Sequence, residues 1–202
     1  RKISQKSLGE STLGGRKLWI DESIGKINLE NRGLFLGSFN SKDKIIIFYK
    51  EGNYEVIEFD LNKRFNMSDI YIIEKFDNSK IYTVLYKDGK SKQYFIKRFN
   101  IETLLLEKKF YLIPETRGTK CKLISNFNKL TVRYNYKLKN NDKVSKEINV
   151  NDFIDIKGYK SIGKRLDNKS HMSGFSFKEI LNEKNEQDSA IENKENNELT
   201  LF

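Results

Sequence analysis

Cysteine, histidine, proline and tryptophan each occur once in the 202 residues. A lone cysteine, Cys121, closes no internal disulfide, and with one histidine, His171, it falls short of the four ligands of a structural zinc site. His171 reads as a surface residue. Cys121, in Lys120-Cys121-Lys122, reads as an inert strand residue despite its cationic neighbours. Long apolar runs are missing too: the longest, Ile45-Ile46-Ile47-Phe48-Tyr49, is far below the roughly 20 residues that cross a bilayer as a helix. No charged segment followed by an apolar stretch opens the chain, so a reducing, cytoplasmic compartment is expected. Arg1 in place of a methionine leads us to expect a piece of a longer polypeptide. Proline, at Pro114 alone, is sparse for a chain with many turns, and codon bias is the only account the composition offers. Carboxylate pairs such as Asp21-Glu22 lack any spacing tied to a reaction, so no catalytic residue, metal site or cofactor is expected within these residues.

Acids are scarce except at one end. The chain carries 38 Lys and Arg against 28 Asp and Glu, a formal charge of +10. Abundant Lys, Asn and Ile are also what an AT-rich coding sequence produces by drift, so the distribution of charge says more than its total. Six acids (Glu183, Glu186, Asp188, Glu192, Glu195, Glu198) crowd into residues 182–202 beside only Lys184 and Lys194, which leaves residues 1–181 at +14. We therefore divide the chain into a basic body, 1–181, and an acidic tail, 182–202, expected to be disordered. A basic body favours an anionic partner such as nucleic acid; the tail reads either as a solvating extension or as an intramolecular competitor for the basic face. The tail ends on the apolar cluster Glu198-Leu199-Thr200-Leu201-Phe202, the pattern of a docking peptide with Leu199, Leu201 and Phe202 as anchors.

The body is a succession of strands. Ile45–Tyr49 and the alternating Tyr54-Glu55-Val56-Ile57-Glu58-Phe59 flank Lys50-Glu51-Gly52-Asn53, a hairpin whose turn suits Gly52 at positive φ. The pattern returns at Ile81–Tyr86 and Gln93–Ile96 around Lys87-Asp88-Gly89-Lys90. Phe39 and Phe76, Ile47 and Val84, Tyr49 and Tyr86, and Gly52 and Gly89 are each 37 positions apart. A looser copy follows, with Val132 and Tyr134 lying 48 positions after Val84 and Tyr86 and a longer turn through Lys139 to Lys143. Hairpins repeating every roughly 40 to 50 residues, none able to bury its apolar face alone, predict an all-β, propeller-like array, with a fourth unit assembled from the two chain ends. Residues 101–110 have helical propensity without a helical period. Trp19, within Leu18-Trp19-Ile20, reads as a core residue, with base stacking the alternative.

Two stretches resemble the C-terminal domain of the A subunit of bacterial type IIA topoisomerases, nearer to topoisomerase IV than to gyrase. One is Leu13-Gly14-Gly15-Arg16-Lys17-Leu18-Trp19 with Asp21-Glu22, Gly25, Asn28, Arg32-Gly33 and Phe35-Leu36-Gly37-Ser38-Phe39. The other is Asp155-Ile156-Lys157-Gly158-Tyr159-Lys160-Ser161-Ile162-Gly163-Lys164-Arg165-Leu166. The resemblance implies a β-pinwheel, a disc of four-stranded blades whose basic rim bends duplex DNA for strand passage. It also implies ATP and Mg²⁺ used through other domains of a parent enzyme, and as partners the chromosome, the topoisomerase B subunit and a second A subunit. The gyrase box Gln-Arg-Arg-Gly-Gly-Lys-Gly is replaced by Gly14-Gly15-Arg16-Lys17, which favours bending over tight chiral wrapping. The terminal peptide is similar to the Gln-Leu-x-Leu-Phe peptide that docks on bacterial sliding clamps, with Glu198 in place of Gln.

Candidate phosphate contacts are cations beside turns and glycines: Arg16, Lys17, Lys42, Lys44, Lys50, Lys87, Lys90, Lys92, Lys157, Lys160, Lys164 and Arg165. Gly158 and Gly163 would let the backbone approach the duplex. A protein-interaction propeller with incidental basic charge is the alternative.

Overall fold

The computed structural model describes residues 15–181 apart from 103, 104, 139 and 170. The tail 182–202, with Leu199, Leu201 and Phe202, lies outside the described residues.

Four modules follow one another. The first is β1 (Arg16–Asp21), β2 (Lys26–Asn28) and β3 (Leu34–Phe39); the second is β4 (Ile45–Tyr49), β5 (Asn53–Ile57) and β6 (Ile70–Lys75). The third is β7 (Tyr82–Lys87), β8 (Tyr94–Phe99), β9 (Phe110–Tyr111) and β10 (Lys120–Ser125). The fourth is β11 (Leu130–Lys137), β12 (Lys143–Asn149), the single-turn helix α1 (Val150–Phe153), β13 (Lys164–Arg165) and β14 (Ser173–Glu179). In every module the opening hairpin is antiparallel, and the last strand returns to pair with the first. The 37-residue repeat is therefore structural: β4 and β7 are the same strand of successive modules. The expected fourth unit does exist, but it is built by residues 16–39 alone, because β14 is taken up by the fourth module's own sheet.

Each of the first three sheets is completed by the next module. β9, between β8 and β10, pairs with β5 in the second sheet, and β13, between β12 and β14, pairs with β8 in the third. In the first sheet the donated strand shrinks to one bridge, Lys26 with Arg64, from the segment between β5 and β6. Among the described residues β12 receives no such strand. The returning strands β3, β6, β10 and β14 lie beside one another in succession and form the inner edge of the array, so the donated strands form the outer edge.

The sheets pack face to face around three cores. Ile45 and Ile47 point towards the first sheet and meet Leu18, Ile20 and Phe39. Ile46 and Phe48 point the other way and meet Tyr82, Val84 and Tyr86. Leu85 and Ile96 meet Leu130, Val132 and Tyr134 of the fourth sheet. A strand buried on both faces needs an unbroken apolar run, which is why β4 reads Ile-Ile-Ile-Phe without alternation. The end sheets bury one face only. Trp19 therefore does not join the core: Leu18 and Ile20 occupy it, and Trp19 projects to the opposite face beside half-exposed Phe35. The segment 101–110 forms no helix among its described residues. It leads Leu106 to a bridge with Val56 and then into β9.

Candidate nucleic-acid interface

The donated strands carry a shared chemistry. Phe65, Leu112 and Leu166 are buried, and their amides donate to Gly25 O, Gly52 O and Tyr94 O at 2.8, 2.9 and 2.9 Å. Each is an anchor that pins a donated segment to the preceding sheet. Directly before each anchor, or before the short strand β9 that leads to it, stands a basic pair: Lys63-Arg64, Lys108-Lys109 and Lys164-Arg165. With the anchor turned inward, the pair is left at the outer edge. None of the six cations enters an ion pair among the described residues. Lys63, Lys108 and Lys164 lie over the rings of Phe65, Phe110 and Phe153, so apolar stems are covered while the ammonium groups stay at the surface.

Residues 154–166 form a strap along the outer edge of the third sheet. Gly163 has φ +89, and a Cβ there would lie 2.4 Å from Ile96 O, so this glycine serves close approach to β8 and not to an external duplex. Gly158 faces open space. Beneath the strap, Lys97 is 1% exposed and donates from Nζ to Tyr159 O at 2.5 Å and Ser161 O at 3.0 Å. Burial lowers its ammonium to about 8. Next to it, Arg98 donates to Asn128 O at 3.1 Å, and the Lys157 amide donates to Arg98 O. Tyr159 packs edge-on against Tyr54 and Phe110 of the second sheet, at 5.5 and 6.1 Å between ring centres. The strap thereby joins the outer edges of the second and third sheets into one surface bearing Lys108, Lys109, Lys157, Lys160, Lys164 and Arg165.

The other sequence candidates are distributed by strand ends. Lys87, Lys90 and Lys92 surround the β7–β8 turn, and Lys50 the β4–β5 turn, where its Nζ donates to Ser68 O. Lys42 and Lys44 lie at the opposite end of β4, and Lys44 is the one candidate of the twelve held in an ion pair among the described residues, with Glu58 at 2.7 Å. Arg16 and Lys17 open β1 and are exposed. An open cleft of about 530 Å³ brings Lys87 and Lys92 together with Gln93, Tyr94, Lys169, His171 and Met172. Arg165 reaches this end too, donating to Gln93 Oε1 at 2.9 Å. Sequence reasoning passes over Lys63, Arg64, Lys108, Lys109 and Lys169. The first four have a signal, a basic pair ahead of an aromatic residue, that becomes visible only when the donated strands are aligned. Cys121 is half-buried, and burial pushes its thiol up to about 12, which disfavours the thiolate form. Among the described residues no helix is long and apolar enough to cross a membrane.

The described residues form an all-β array of strand-exchanging antiparallel modules with three basic pairs on the donated segments. The chain belongs to the family of topoisomerase C-terminal domains of Bacteroidota, whose model matches residues 26–173. Neither a curated protein nor a solved structure gives a significant match.

Proposed function

We propose that this domain binds and bends duplex DNA without sequence choice, as the C-terminal part of the A subunit of a type IIA topoisomerase. The observation that carries the reading is the row of three basic pairs on successive donated strands, none of them held by a carboxylate among the described residues. Cations on one outer edge meet successive phosphates of a duplex laid along it, and such contacts give affinity and orientation with no base readout. In the parent enzyme this domain would hold a segment for ATP-dependent strand passage, with the nucleotide and Mg²⁺ bound by other domains. Its partners there would be the B subunit and a second A subunit. The missing gyrase box favours bending over chiral wrapping.

Mobility shift of a duplex across a salt series tests this. With about six phosphate contacts, the slope of log affinity against log salt is expected near about −5. Replacing exposed Lys108 and Lys109 by alanine should make the slope shallower by about 2, whereas Lys178→Ala, on the outer face of the fourth sheet, should leave it unchanged. A slope near zero would mean that the array is a protein-interaction propeller.

A further inference from the structure

Among the described residues, no other sheet covers the outer side of the first sheet. Leu18 and Ile20 enter the core, so Lys17, Trp19 and Asp21 project outward from the same strand. A bulge between Leu18 and Trp19 sets Trp19 opposite Phe35 on β3, and Asn28 lies opposite Trp19 on β2. The two rings lie 5.1 Å apart at 45°, with Phe35 51% exposed. Phe35, half in water, and the partly covered Trp19 beside it gain less burial than the aromatic side chains of the cores.

The polar groups around them narrow what fits. Lys17 is exposed on this face and enters no ion pair among the described residues, whereas Arg16 turns to the opposite side, beside Phe39 and Phe59. Asp21 is turned to Ser23, whose hydroxyl and amide both donate to Oδ1, and this hydrogen bonding lowers its carboxyl below the ordinary range. The Asn28 amide is occupied by Trp19 O and Arg32 O on one side and by the Glu30 and Arg32 amides on the other. The face therefore offers aromatic rings and the free cation Lys17, with the Asn28 amide and Asp21 Oδ1 already hydrogen-bonded. A second copy of the chain would bring the same cation against this one. A duplex keeps its bases stacked internally, out of reach of a flat sheet. An unpaired strand offers both bases with free π-faces and phosphates at their side.

We propose that the outer face of the first sheet binds single-stranded nucleic acid, with bases stacked on Trp19 and Phe35 and phosphates held by Lys17. This goes beyond the duplex reading and does not depend on it. Trp19 is the only tryptophan, so its fluorescence reports this face alone. Titration of the full chain with oligothymidylate should quench it saturably. Phe35→Ala, at an exposed position where the circular dichroism spectrum should stay unchanged, should weaken that binding about tenfold. The same variant should leave duplex mobility shifts unaltered. The proposal is overturned by absence of quenching with oligothymidylate, by equal quenching with inorganic polyphosphate, or by an unchanged affinity in Phe35→Ala. Self-association of the wild type that Phe35→Ala abolishes would assign the face to a second copy instead. Loss of duplex binding is read separately, through the Lys108 and Lys109 variant, and leaves this titration unaffected.

Discussion

Lys97 is the residue at which chemistry and fold are most tightly joined. Its ammonium is buried beneath the strap, where its hydrogen-bond partners among the described residues are two carbonyl oxygens and no carboxylate. Burial brings it to about 8 in the folded chain against an ordinary 10.5. Between those values the unfolded chain holds one more proton than the folded one, so folding gains stability as pH rises through the window. Urea denaturation at pH 7.5 and 9.5 should show that gain in the wild type, of order 2 kcal/mol from this group. Lys97→Met, which keeps the apolar stem and removes the charge, should lose the pH dependence. Sequence reading does not find this residue, because a lysine in Tyr94-Phe95-Ile96-Lys97 has the period of an outward-facing strand position and the strap that covers it comes from about 60 residues further on. Trp19 misleads for a related reason: apolar neighbours on both sides hide the alternation that sends it outward.

At the scale of elements, the hairpins are written plainly in the chain. Gly52 takes φ +87 as its turn requires, and the 37-residue spacing marks equivalent strands. The donated strands are not visible there, because an element of two residues, paired to a strand from the previous module, has too few positions to express a period. The helix α1, a single turn capped by Asn149 accepting from the Asn151 amide, escapes for the same reason. Of the candidate site, the strap cations Lys157, Lys160, Lys164 and Arg165 are legible in the sequence, while their continuation onto Lys108 and Lys109 depends on strand exchange. The two strap glycines separate seating from reach. Gly163→Ala should destabilise the fold by about 1–3 kcal/mol, since it combines positive φ with a clash against Ile96 O, whereas Gly158→Ala should stay within about 0.5 kcal/mol. Thermal melts of both variants check this, and equal melting temperatures would mean that the strap is not held where Gly163 meets β8.

Across the whole molecule, three separate cores between four sheets make stability a sum of neighbour interfaces, as in repeat proteins. The second and third sheets are clamped from both sides and the outer two from one. Amide hydrogen exchange should therefore be slowest in β4, β5, β7 and β8 and fastest in β2 and β12, the latter with no strand on its outer side among the described residues. Uniform protection across all four sheets would argue for one undivided cooperative unit.

Completion of each of the first three sheets by its successor also imposes a timetable on synthesis. A sheet that awaits Arg64, β9 or β13 stays unfinished until the ribosome has delivered much of the following module, so each unit matures one step behind the growing chain. Until the completing segment emerges, every nascent hairpin exposes a raw edge, and the basic pairs reach their common surface only as those edges close in order.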